Sequence, residues 1–128
     1  MKKVYINLAI RNVVDTDSFF NKLGFNKNEQ YSSIDTTNFQ INENTYVMLL
    51  EDEKFQTFTG EFPNPICNNK IISLQFDNIE EVDVLFNKAI NAGATDITKT
   101  NDETDKFMHL KSFRDLNGHI WELFFFKI

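Results

Sequence analysis

Hydrophobic and polar residues first alternate over Lys3–Ile10, where Val4, Ile6, Leu8 and Ile10 oppose Tyr5, Asn7 and Ala9. That period of two predicts a β-strand. From Asn12 to Leu23 the spacing becomes helical: Phe19, Phe20 and Leu23 share a face, Asp15 or Thr16 offers an N-cap, and Gly24 supplies the stop. Three short strand-like segments follow at about Glu29–Ile34, Asn38–Ile41 and Thr45–Glu51, separated by turn residues at 35–37 and 42–44. Periodicity is then lost from Asp52 to Asn69. Pro63 and Pro65 break any helix through that stretch, which predicts a connecting loop with one helical turn near Lys54–Phe58.

The same order then begins again. Lys70–Asp77 alternates like a strand, and Ile79–Ala92 places Val82, Leu85, Phe86, Ala89 and Ile90 on one helical face, with Asn78 as N-cap and Gly93 at the end. Strands are predicted at Thr95–Thr100, Lys106–Phe113 and His119–Lys127. Aligning the copies puts Leu8 on Leu74, Ile10 on Phe76, Asn12 on Asn78, Phe20 on Phe86 and, through the anchors Asn44 and Asn117, Leu49 on Glu122. The chain therefore reads as two βαβββ units, about 1–52 and 70–128, joined by a linker at about 53–69. Neither unit can bury its sheet alone, so the expected fold is one α+β domain: two paired modules forming a cup-shaped, mostly antiparallel sheet backed by helices. With Leu8, Ile10, Leu74 and Phe76 under the helices, parity sends Tyr5, Asn7, Ala9, Ile71, Ser73 and Gln75 to the concave face. Leu49 and Glu122 join them, the acid flanked by Ile120 and Phe124.

Composition narrows the function. A net charge of −6, a pI near 4.8 and the lack of any Lys/Arg cluster exclude a nucleic-acid footprint. There is no secretory h-region and no apolar run long enough to span a membrane, and the single cysteine, Cys67, has no disulfide partner in the chain. A cytoplasmic protein with an incidental loop thiol is expected. Fourteen Phe residues are a heavy aromatic load, spent on the core and available to line a cavity.

The chemistry concentrates at the C-terminus. Asp115 to Gly118 supply turn residues, and from His119 to Phe126 almost every position is apolar or aromatic except Glu122. A carboxylate in such a strand needs a cation, a hydrogen-bond donor or a metal beside it, or must hold its proton. Two histidines are available. His119 is expected to cap the turn or pack on the outer side of the sheet. His109 alternates with Phe107 and Lys111 on a neighbouring strand, and if that row shares the face of Glu122, His109 or Lys111 pairs with the acid as an acid–base couple or a structural one. Asp102, Glu103 and Asp105 lack the spacing and the glycine of a calcium loop and read as solvated charge. No Gly-rich phosphate loop or nucleophile elbow is present.

Four segments together carry a family resemblance: Phe19-Phe-Asn-Lys-Leu-Gly-Phe25, Tyr46-Val-Met-Leu-Leu50, Ala89-Ile-Asn-Ala-Gly-Ala94 and Asp115-Leu-Asn-Gly-His-Ile-Trp-Glu122. The chain resembles the vicinal oxygen chelate superfamily, the group of glyoxalase I, bleomycin-resistance proteins and extradiol dioxygenases. The resemblance implies paired βαβββ modules, a cup-shaped site and often a homodimer. It also implies four metal-ligand positions, which here match Tyr5, Leu49, Ile71 and Glu122. Glu122 alone is a ligand type, so no cofactor is expected, although an atypical divalent-metal site that recruits His109 stays open. Two functions follow. One is a metal-free module binding a small molecule through Tyr5 and Phe124 for stacking, with Glu122, Asn7, Ser73, Gln75 and Lys111 for polar contacts beside Leu49 and Ile71. The other is a lyase, isomerase or dioxygenase-type enzyme using Glu122 as base or ligand.

Overall fold

A computed structural model describes residues 1–65 and 69–127. The chain divides into two compact units, Met1–Pro65 and Ile66–Ile128. Cys67 lies outside the described residues.

The first unit contains β1 (Val4–Ile10), α1 (Val13–Leu23), β2 (Asn26–Lys27), β3 (Thr36–Asn42), β4 (Thr45–Glu51) and α2 (Asp52–Thr59). Its sheet runs β1-β4-β3-β2, with β1 and β4 parallel and the other pairings antiparallel. The second unit contains β5 (Ile71–Gln75), α3 (Ile79–Asn91), β6 (Thr95–Asp96), α4 (Asp102–Phe107), β7 (Met108–Arg114) and β8 (Ile120–Phe126). Its sheet, β5-β8-β7-β6, has the same topology. The repeat is therefore real at the level of strand order and direction.

Each unit builds its core between one helix and one face of its own sheet. In the first, α1 buries Thr16, Phe19, Phe20 and Leu23, and the Phe20 ring lies 5.6 Å from Phe39 on β3. In the second, α3 buries Val82, Leu85, Phe86 and Ala89, while Phe113 and Trp121 stack at 6.4 Å in the sheet below. Asn12 and Asn78 cap these helices by accepting from Asp15 N–H and Glu81 N–H. Asn12 rather than Asp15 or Thr16 is thus the first cap. The carboxylate of Glu51 also accepts from Val13 N–H, tying the end of β4 to the start of α1.

The sequence reading departs from the structure in four segments. Residues 52–59 make a two-turn helix ended by Gly60 in the left-handed region, where one turn in a loop was expected. The expected strand at 29–34 does not form: a 3₁₀ turn at Glu29–Tyr31 stands there, after a two-residue strand at Asn26–Lys27, and the strand expected at 95–100 shrinks to Thr95–Asp96. The acidic segment 102–107 is helical, because Asn101 caps it by accepting from Thr104 N–H and its first turn carries three acids.

Candidate functional site

Strand β8 is central in the second sheet, and the loop before it fixes which way its residues point. That loop is a carboxylate clamp. Buried Asp115 accepts from Asn117 N–H (2.9 Å) and His119 N–H (3.0 Å) on Oδ1, and from the Trp121 indole N–H (2.9 Å) on Oδ2. Asp115 N–H closes the loop on the His119 carbonyl at 2.9 Å. His119 is thereby part of the loop and is itself buried, at 2% exposure.

From this start Trp121 and Leu123 face α3 and are fully buried, while Ile120, Glu122 and Phe124 face the other side and are half-buried. Their cross-strand neighbours extend that second face. On β5 they are Ile71, Ser73 and Gln75, all exposed, Ile71 at 58%. On β7 they are Arg114, Ser112 and Leu110. Glu122 thus sits between two serines. Ser73 donates its hydroxyl to Glu122 Oε1 at 2.9 Å, and Ser73 is the one hydrogen-bond partner of the carboxylate among the described residues. The half-buried Phe124 ring meets Phe126 edge-on at 5.1 Å and walls the row on one side.

His109 and Lys111 lie on the opposite face, contrary to the sequence expectation. Register pairs them with Phe125 and Leu123, and both reach α3: His109 Nε2 lies 2.7 Å from Asp83 Oδ1, and Lys111 Nζ sits 5.3 Å from the centre of the Phe86 ring. The reason is the hairpin loop. A four-residue turn over Asp115–Gly118 would set Lys111 against Glu122, but the loop also takes in His119 and sets Ser112 there instead. One residue reverses every side chain. Ser112 and Leu110 were missed for the same cause.

Leu49 is a second correction. Leu8 pairs with Leu49 as Leu74 pairs with Leu123, so Leu49 points toward α1 and Met48 occupies the place that Glu122 holds in the second unit. The anchors Asn44 and Asn117 lie in hairpin loops of different length, and an alignment through them slips by one. On the first sheet's face away from α1 stand Tyr5, Asn7 and Met48, with Tyr46 and Asn38 buried beside them. Tyr5, 42% exposed, stacks on Tyr46 at 5.0 Å, and Lys3 Nζ bonds the Tyr46 hydroxyl at 3.2 Å. That contact, reinforced by the negative charge the phenol would carry, holds the ammonium of Lys3 above its usual range. Buried Asn38 directs its amide N–H at the Met48 sulfur.

The structure therefore gathers Ile71, Ser73, Gln75, Glu122 and Phe124 on one face of the second sheet, and Tyr5 and Asn7 on the face of the first sheet away from α1. Of the four positions that the resemblance matched to metal ligands, Tyr5, Ile71 and Glu122 keep the face expected of them, and Met48 takes the place expected of Leu49: a stacked phenol and a thioether in the first unit, an alkyl group and one carboxylate in the second. Within either unit, these side chains do not supply the several imidazole or carboxylate donors that a divalent ion takes together. Among the described residues no three His, Cys, Asp or Glu side chains group in a ligating arrangement. No helix among them is long and apolar enough to cross a membrane.

This topology, repeated in two helix-backed sheets, is the fold of solved glyoxalase/bleomycin resistance proteins. A hypothetical protein from S. aureus is similar at 27% identity and a TM-score of 0.81, over 98% of this chain and 94% of that one. A glyoxalase/bleomycin resistance protein/dioxygenase family enzyme from Burkholderia phytofirmans is similar at 20% identity and a TM-score of 0.80, covering 94% and 95%. The fosfomycin resistance protein FosX from Listeria monocytogenes has a TM-score of 0.68 at 14% identity, covering 100% and 91%. No family model matches the sequence, and no curated protein matches it.

Proposed function

We propose that this protein binds a small molecule on the open face of its second sheet, around Glu122, and does so without the divalent metal of its fold group. The observation that carries the reading is the state of that carboxylate. It is half-buried among Ile71, Ile120 and Phe124, one of its oxygens takes a neutral hydroxyl donor, and the other has no partner among the described residues. A partly dehydrated acceptor left in that state favours any ligand that brings a donor to it. The surrounding alkyl and aromatic surface supplies the apolar contact that such ligands need. The protein acts as a homodimer in the cytoplasm, as its fold group and its single cysteine suggest.

The same free carboxylate oxygen favours one further reading, a lyase or isomerase in which Glu122 takes a proton from the bound molecule. One experiment separates the possibilities. Elemental analysis is combined with thermal-shift measurements against divalent metals and a small-molecule collection, for the native chain and Glu122→Ala. The expected result is no stoichiometric metal, and small-molecule hits that raise the Tm of the native chain and not of the variant. A stoichiometric metal lost in the variant would overturn the reading. Turnover of a hit that disappears in Glu122→Gln would establish the enzyme.

A further inference from the structure

We infer that the ligand recognised at Glu122 carries a primary ammonium group on an apolar body. This rests on the binding reading above and names its ligand class. The argument starts from the row Ser73, Glu122, Ser112, three side chains directly opposite one another on β5, β8 and β7. At the centre is a carboxylate, which accepts and does not donate. On one side the Ser73 hydroxyl is already committed as donor to Oε1 at 2.9 Å. On the other, the Ser112 hydroxyl makes no hydrogen bond among the described residues, because the ties of Ser112 to Thr98 run through its backbone N–H and carbonyl. The row therefore offers a ligand two acceptors, Glu122 Oε2 and the Oγ of the largely buried Ser112, one of them an anion, and a single donor, the Ser112 hydroxyl hydrogen.

Among the described residues no ion pair involves Glu122. Lys111 lies on the far face over the Phe86 ring. Arg114 shares the face, but its guanidinium donates to the Gly118 carbonyl at 2.7 Å and is drawn toward the hairpin loop. A half-buried carboxylate beside two neutral hydroxyls attracts a positive ligand and rejects a negative one. An ammonium with three N–H donors satisfies both open acceptors at once, which a quaternary ammonium lacking N–H groups does not do. The neighbours of the row, Ile71, Ile120, Leu110 and Phe124, then take the apolar body.

The test uses the full chain and four probes of nearly constant shape: phenethylammonium, its N-trimethyl derivative, phenethyl alcohol and phenylacetate. Binding is followed by the methyl NMR signals of Ile71 and Ile120, and circular dichroism confirms that each variant is folded. Phenethylammonium is expected to move these signals and to lose about tenfold or more in affinity on trimethylation, in Glu122→Gln, and against the alcohol. Ser112→Ala, which leaves the carboxylate in place, is expected to cost about threefold to tenfold. The inference is overturned if the alcohol or phenylacetate binds there as tightly as the ammonium, or if Glu122→Gln leaves ammonium affinity unchanged. Neutral or anionic probes that move the methyl signals while the ammonium does not would sink the cation inference and keep the binding site. If none of the four moves them, both fall.

Discussion

Replacing Asp115 should cost more than any other single change in the loop that aims Glu122. Its carboxylate is buried and accepts three hydrogen bonds of 2.9 to 3.0 Å, two from backbone and one from the Trp121 indole. A hydrogen bond to a charged acceptor contributes about 1.5–3 kcal/mol net. Three lost together do not sum, since the native state also no longer has to dehydrate a carboxylate, and about 3–5 kcal/mol is expected for Asp115→Ala. For a chain of this size that lowers Tm by roughly 10–20 °C, a large share of the ~5–15 kcal/mol that a domain holds. Asp115→Asn keeps an oxygen for the two backbone donors but turns an amide donor against the indole N–H, so about 2–3 kcal/mol is expected.

Urea unfolding followed by circular dichroism measures both values, and a double-mutant cycle with Trp121→Phe isolates the indole bond. Trp121→Phe should cost less in the Asp115→Ala background than in the native one, with a coupling of about 1–2 kcal/mol. If Asp115→Ala unfolds within 1 kcal/mol of the native chain, or the two substitutions are additive, the clamp does not hold this loop as described.

Gly93 has φ +111°, and a Cβ there would stand 3.0 Å from Leu116 Cδ2, so Gly93→Ala should destabilise by about 1–3 kcal/mol in the same unfolding assay. Asp17 on α1 accepts from Thr37 Oγ1 at 2.8 Å and pairs with Lys27 at 3.1 Å; Asp17→Ala should cost about 1–2 kcal/mol, most of it reproduced by Thr37→Val if the hydroxyl bond dominates. Bonds from Thr98 hold the carboxyl of Asp96 below its usual range, so its contribution is present above the ordinary carboxylate range and lost as pH falls through the lowered value. Exposure keeps that effect small, and Asp96→Asn should lower stability slightly near neutrality, flatten the acid limb of stability against pH, and leave no difference once pH is below the lowered value.

Where one face of a strand is greasy and the other mixed, its orientation was legible. Leu8 and Ile10 are buried, Tyr5, Asn7, Ser73 and Gln75 are exposed, and Glu122 sits between Ile120 and Phe124 as the alternation required. Both helices and their glycine stops could be read from spacing, since burial against a sheet and the left-handed turn after it each leave a residue signature. The short strands β2 and β6 could not, because two residues carry no period. The helix at 52–59 escaped for a related reason: among its residues the described structure buries none, so no apolar face announced it.

The strands that failed were those whose pattern is silent about parity. Tyr46-Val-Met-Leu-Leu50 is apolar at every position, so its orientation rested on an alignment through hairpin loops, and loops are where length varies. The row Phe107, His109, Lys111 could be placed on a face only conditionally, since its alternation fixes no register with β8, and inclusion of His119 in the loop puts it on the face away from Glu122. What decides that inclusion is a buried bond between Asp115 and a side chain six positions on, Trp121, which no local propensity records. The serine pair around Glu122 follows from it: a five-residue loop puts Ser112 and its hydroxyl beside the acid, and a four-residue loop would have put Lys111 there. The carboxylate would then have found its cation within the chain. With the loop as it is, the hydroxyl of Ser112 and not the ammonium of Lys111 stands opposite the acid.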